Sequence, residues 1–358
     1  MNINKKSRRQ FITKSLIGAA GLYQLAALTS CSSFDDFFFD DHYQYEHEVV
    51  IIGGGLSGLY LASELRRSKT EFRLFEGSTR FGGRVRSFNG SDYGASFFSK
   101  NDQLVNALAD ELLLEKKQID RQNFYLSGGM QSLTDGLLDL IVGLIPYRNF
   151  RLRWSLTEIE KLSDRYSLVF ENPAGQKKIT AKKIALAIPP TQWPQIKGLM
   201  QLPEMSWAEE WLSAMKTENS IKFILPASSF SGSVKPFAEL QQEQIRLRQL
   251  YKKTKNEATV EVEVRGPAAQ LKDPEAIYSL LRKKLPIGNF QFQKLPQEQF
   301  FDWGQVRLLQ GSRFTNFLAV PPSTNPTFQI VGDFTAVKSI YTMEGALQSA
   351  AQAVRWLI

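Results

Sequence analysis

Cysteine and histidine are almost absent from this chain: one and two residues in 358. A single cysteine, Cys31, leaves no intramolecular disulfide. Both histidines, His42 and His47, precede the first strongly apolar strand. No histidine remains further along for a catalytic triad or a zinc site in the folded body. The chemistry of such a chain has to rest on a borrowed reagent. Long apolar runs are missing too. Leu16–Leu28 is the nearest to one, and a membrane span needs roughly 20 such residues. Strong charge is missing from the body of the chain. Of the net +8, Lys5, Lys6, Arg8, Arg9 and Lys14 supply five charges, in a leader with no acid. No nucleic-acid footprint survives, so no nucleic-acid partner is expected. A hydrophobic fraction of 43% with 12% aromatics describes a globular protein.

What is present begins with an address. Ser7–Lys14 reads SRRQFITK and is followed by a short, weakly apolar stretch. A basic region ahead of a short apolar one is a targeting peptide. The Arg8-Arg9 pair, with Ser7, Phe11 and Lys14, resembles the bacterial twin-arginine (Tat) signal. Leu28-Thr29-Ser30-Cys31 resembles a lipobox, and the only cysteine falls at the lipidation position. The expectation is a signal over 1–30, lipid on Cys31, and a membrane-anchored protein of the periplasm or cell envelope. Residues 31–47, rich in alternating acids and aromatics, read as a tether. Beyond the signal about 330 residues remain, one large or two medium domains.

Glu48–Leu65 reads EVVIIGGGLSGLYLASEL. Val49–Ile52 is a short β-branched strand. Gly53, Gly55 and Gly58 form G-x-G-x-x-G, with Ser57 inside the motif, and open a helix. One glycine permits the tight turn, one lets the backbone approach a pyrophosphate, and one lets helix and strand pack closely. The helix start offers N–H groups and a positive dipole end to phosphates. A second strand, Glu71–Phe75, ends at Glu76, about 20 residues on, where an acid bonds the ribose hydroxyls. Next comes EGSTRFGGRVRS. Gly82 and Gly83 form a second glycine pair between Arg80 and Arg84, whose forked donors suit a pyrophosphate.

With E-x-x-x-R-x-G-G-R complete from Glu76 to Arg84, the sequence resembles the FAD-dependent amine oxidase superfamily. The resemblance runs along most of the chain after the signal. Asp92–Ser96, with Gly94 and Ala95, is similar to the D-x-G-A segment under the flavin ring. Gly128-Gly129-Met130 with Leu133 is similar to the helix start where the chain re-enters the FAD domain. Leu156–Glu160, Tyr166–Phe170 and Lys183–Pro190 resemble the family's small sheet, with the Leu156 backbone at adenine. Trp303 with Gly311 resembles a late element near the substrate pocket. Gly332-Asp333 ends a strand over Phe328–Phe334 and implies contact with the ribityl and phosphate portion. Met343-Glu344-Gly345-Ala346 opens the last helix, which brings Met343 and Ala346 to the flavin.

The resemblance implies an α/β protein with a Rossmann-like FAD-binding domain of the GxGxxG type and a discontinuous, reduced α+β substrate domain. The expected division is 48–103, 125–200 and 303–358 for FAD and 104–124 and 201–302 for substrate. The first part holds a helix over Gln103–Glu115. The second holds charged helical stretches over Ala238–Lys253 and a strand at Ala258–Val264. The implied reaction is oxidation of an amine or amino-acid C–N bond by hydride transfer to flavin, with O₂ or another acceptor taking the electrons. Oxidation of C–C bonds or of reduced nicotinamides, and a non-catalytic FAD-binding lipoprotein, stay open beside it. FAD is expected to be non-covalent, since no cysteine is available in the domain, and no metal is expected. The chain departs from the family in having Thr342 where a cage tyrosine stands before M-E-G, with Tyr341 one place earlier. Trp303, Tyr341 and Thr342 are the pocket candidates. The family's lysine near the flavin is not placed; Lys252, Lys253 and Lys255 are nominal candidates.

Overall fold

Val49, Val50, Ile51 and Ile52 are all buried, the mark of a strand covered on both faces by helices. In the computed structural model the described residues are 46–142, 149–214, 217–218, 220–229, 237–242, 245–253, 258–265, 279, 300–302, 307–308, 325–336 and 339–358. The signal, the Cys31 lipid site, the tether up to residue 45, Trp303, Gly311 and Lys255 lie outside them.

In chain order the first elements are β1 (Glu46–Ile52), α1 (Leu56–Arg67), β2 (Phe72–Glu76), β3 (Ser87–Phe88), β4 (Ser91–Asp92), β5 (Phe98–Ser99) and α2 (Gln103–Glu111). Then come β6 (Lys116–Gln118), β7 (Asn123–Leu126), α3 (Gln131–Val142), β8 (Phe150–Leu152), β9 (Ser155–Lys161), β10 (Tyr166–Asn172), β11 (Gly175–Leu186) and α4 (Ala208–Ala214). A strand-rich stretch follows: β12 (Thr217–Glu218), β13 (Ser220–Pro226), β14 (Phe237–Gln242), β15 (Ile245–Lys253), β16 (Ala258–Arg265), β17 (Phe300–Asp302) and β18 (Arg307–Leu308). The described chain closes with β19 (Phe328–Ile330) and α5 (Met343–Leu357).

The main sheet runs β8-β2-β1-β11-β10-β9, with β19 also on β11. β1 pairs in parallel with β2 and β11, and β11 with β19. The first half of β11 pairs antiparallel with β10. The expected small sheet is thus continuous with the nucleotide sheet through one long strand. The core beside β1 joins Leu59, Ala62 and Leu65 of α1 to Leu133 and Leu137 of α3 and to Leu347 and Ala350 of α5.

A second sheet, β14-β15-β16-β13-β17, is antiparallel. Here the sequence reading needs correction. Ala238–Lys253, expected to be helical, lies in β14 and β15. The run Ile245-Arg-Leu247-Arg alternates with the period of a strand, and that pattern outweighs its charge. Two elements also sit across the expected division. β18 lies in the stretch assigned to the FAD-binding part, yet it pairs with β12. α2, assigned to the substrate part and four residues shorter than expected, buries Val105, Leu108 and Ala109 in the nucleotide core.

Candidate functional site

The site grows from the turn after β1. Gly53 has φ +109, and a Cβ there would meet the Ala187 carbonyl oxygen at 2.4 Å. A Cβ on Gly58 would stand 2.0 Å from the Gly53 oxygen, so the helix start can ride over the turn only as glycine. Gly55, by contrast, faces open space: an added Cβ would meet nothing within 4 Å. Gly55 is also the N-cap of α1, with no side-chain cap and no acid in the first turn. The first-turn N–H groups, Ser57's among them, therefore have no side-chain acceptor, and an anion suits them.

The second glycine pair packs on the first. Gly82 N donates to Gly54 O at 2.8 Å, and a Cβ on Gly83 would stand 3.1 Å from the Gly55 Cα. Glu76 is held at the rim of this cradle. Its carboxylate accepts from Gly54 N at 2.7 Å and Ser78 N at 2.8 Å. Leu156 is near: Trp154 N donates to Glu76 O at 3.0 Å, and Leu156 pairs with Phe170 beside a bulge in β9–β10.

The two arginines do different work. Arg80 points back into its own loop, donating to Phe81 O at 2.8 Å and Gly83 O at 2.5 Å. Burial and the neighbouring Arg86 hold its pKa below the usual guanidinium value. It shapes the loop that was expected to leave it free for phosphate. Arg84 spans the site and meets Asp333 at 2.5 Å, and that carboxylate raises its pKa. The pair joins Gly83-Arg84 to Gly332-Asp333 across most of the sequence.

Gly94 and Ala95 lie directly on the arginine loop. A Cβ on Gly94 would be 1.7 Å from Arg84 O, and Ala95 N donates to that oxygen at 3.2 Å. Fully buried Asp92 accepts from Met130 N at 2.7 Å and from the Ser87 hydroxyl, so it fixes the G-G-M turn against this segment.

At the far end, Gly332 N donates to Ser349 Oγ at 3.1 Å. Thr342 is the N-cap of α5: its hydroxyl accepts from Gly345 N at 3.1 Å and donates to Ser339 O at 2.6 Å. That engages the residue standing at the cage position. Tyr341 takes a left-handed backbone, φ +62, and its hydroxyl is buried without a hydrogen-bond partner. Burial and Asp333 push its pKa up to about 12. Met343 is half-buried and Ala346 is 8% exposed in the first turn of α5. Glu344 turns away to α2, accepting from Leu104 N at 3.1 Å and Val105 N at 3.0 Å.

Sequence reasoning missed Lys222 and Glu261. Both are buried, on β13 and β16. Lys222 Nζ donates to Gly94 O at 3.0 Å and to Ser96 Oγ, and lies 3.0 Å from Glu261 Oε2. Glu261 Oε1 accepts from Asp92 N at 2.7 Å. The second sheet thus meets the nucleotide half through a buried ion pair. The nominal lysines Lys252 and Lys253 sit on β15. A lysine inside the apolar run SIKFIL was the signal available in the sequence.

The fold and cradle have counterparts. Residues 51–112 match the family of NAD(P)-binding Rossmann-like domains. A protein of Mycobacterium tuberculosis named as a flavin-containing monoamine oxidase, AofH, is 34% identical over 124 residues, 32% of this chain and 26% of that protein. The matched stretch thus spans about a quarter of that relative's length. Putrescine oxidase with bound putrescine superposes over 87% of this chain and 98% of its own, with TM-score 0.65 and 11% identity. Cyclohexylamine oxidase from Brevibacterium oxydans gives the same TM-score and coverage at 15% identity. The fold is the mixed α/β, Rossmann-like fold of the flavin amine oxidases.

Proposed function

We propose that this chain is an FAD-dependent oxidoreductase of amine oxidase type, acting on an amine or amino-acid C–N bond. The observation that carries the reading is the double glycine cradle: an uncapped helix start, Gly55 open to space, and Glu76 oriented beside it. This donor set fits a dinucleotide. α1 and Gly82-Gly83 would hold the pyrophosphate, Glu76 the adenosine ribose, and Asp333 the ribityl portion. Bound there, FAD would supply the two-electron chemistry, as acceptor of a hydride from the substrate carbon and donor to O₂ or another acceptor. The chain's own residues orient and exclude water. The segment Asp92–Ser96, rigid through Arg84 and Met130, is a platform for a flat ring. Lys222 takes the place of the lysine that the resemblance implies near it. The start of α5 would offer a positive dipole end to negative charge on a reduced ring. With the only cysteine at position 31, the cofactor is held without a cysteine link.

The same reading includes export in folded form. The Tat-type signal and Cys31 support a lipid-anchored protein of the bacterial cell envelope, since a chain that closes on its cofactor from Gly53 to Ala346 has to fold before it crosses. With Thr342 engaged as a helix cap, a second reading stands beside the first: oxidation of a C–C bond or of a reduced nicotinamide. Anaerobic mixing of the purified protein with an amine panel and with NADH separates them. Bleaching of the flavin bands by one amine class supports the first reading. Bleaching by NADH alone, or by nothing, overturns it.

A further inference from the structure

The pair Lys222–Glu261 carries an inference that rests on the flavin reading and goes beyond it. Lys222 Nζ donates to Gly94 O and Ser96 Oγ and faces the Glu261 carboxylate as an ion pair at 3.0 Å. Glu261 accepts from Asp92 N through Oε1, and its Oε2 faces the ammonium as an ion pair at 3.0 Å. Both side chains are at most 5% exposed. The two residues are diagonal neighbours on one face of an antiparallel pair, Lys222 standing opposite Glu263 and Glu261 opposite Ile224. A buried ion pair gives little net stability over an apolar pair of the same size, while removing one partner strands a charge. Its effect here is positional.

We propose that Glu261 is a positioning residue: its charge holds the Lys222 ammonium on the Gly94–Ser96 turn. The lysine is then a fixed charge balanced by a carboxylate beside the Gly94–Ser96 turn. The pair also ties the second sheet to Asp92, and through Asp92 to the G-G-M turn.

The test compares wild type, Glu261→Gln, Lys222→Met and the double variant. Glutamine keeps an acceptor for Asp92 N while removing the charge. The readouts are the midpoint potential of the bound flavin and the melting temperature of the FAD-free protein. Positive charge near the ring favours the reduced form. Glu261→Gln is expected to raise the potential, Lys222→Met to lower it, and the double variant to return close to wild type. In FAD-free protein both single variants melt below wild type and the double recovers. Equal potentials in folded, flavin-loaded variants overturn the proposal. If a single variant fails to fold or to hold flavin, the double variant decides: balanced charge predicts retained flavin and a wild-type potential, and loss of flavin there overturns it. A folded wild type without any flavin sinks the functional reading instead, while the melting order still reports on the pair.

Discussion

Around Gly53–Gly58 the polar groups on offer are main-chain N–H donors, presented by glycines that let helix, strand and second loop touch. At the seam between the sheets they are side chains, Lys222, Glu261, Ser91 and Thr259, enclosed by apolar strands. The first region leaves the donors at the start of α1 without a side-chain cap. The second has its charges matched and closed. A ligand enters the first; the second holds the scaffold and sets its charge. The difference also shows where steric limits act. At Gly53 and Gly58, one methyl group collides with backbone, which cannot yield. At the seam, a changed side chain leaves an unbalanced polar group.

The sharpest way to break the first region is Gly58→Val. Its Cβ would lie 2.0 Å from the Gly53 oxygen, so α1 cannot seat. A loss of more than about 4 kcal/mol is expected, read as insoluble or unfolded protein in circular dichroism.

Glu344 stands between the two regions, a side chain that serves main-chain donors. Glu344→Ala leaves Leu104 N and Val105 N at the start of α2 without their acceptor. Two such losses cost roughly 2–4 kcal/mol, measurable by urea unfolding, with Glu344→Gln milder.

Acid discriminates within the nucleotide half. Burial, with Arg73 and Arg151, lowers the His47 pKa from 6.5 to about 4. The unfolded chain therefore binds a proton at higher pH than the folded one does. Stability is intact above pH 6.5 and falls as the pH drops from there towards 4, by about 1–3 kcal/mol. Unfolding curves across that window measure the slope, and His47→Gln is expected to flatten it.

The smallest effect sharpens the account of the seam. Ser91 Oγ and Thr259 Oγ1 are 3.2 Å apart and buried. Each single change, Ser91→Ala or Thr259→Val, is expected to cost about 1 kcal/mol, and the double less than the sum. A double-mutant cycle in chemical denaturation reads this coupling.

What the sequence makes legible follows the same division. Glycines at a fixed spacing after a β-branched strand announce a backbone-built site, because nothing else fits there. Gly53, Gly55, Gly58, Glu76, Gly82 and Gly83 could therefore be named in advance, and the structure brings them into one cradle. Side-chain sites leave a weaker mark. In SIKFIL a lysine reads as a solvent-facing position of a strand, and Glu261 reads the same way in ATVEVEVR. Only the antiparallel register of β13 and β16 brings them together. Arg80 shows the converse: a motif position was legible, while the direction of its side chain, set by the carbonyls of Phe81 and Gly83, was not. The charge of Ala238–Lys253 hid an alternation that pairing with β16 turns into strand.

The most direct test of the central claim, that the open glycine cradle holds a dinucleotide flavin, is the flavin content of the purified protein. The account predicts one FAD per chain, seen as oxidised-flavin absorption bands and released intact on denaturation. Folded wild-type protein that stays colourless after incubation with FAD would contradict it.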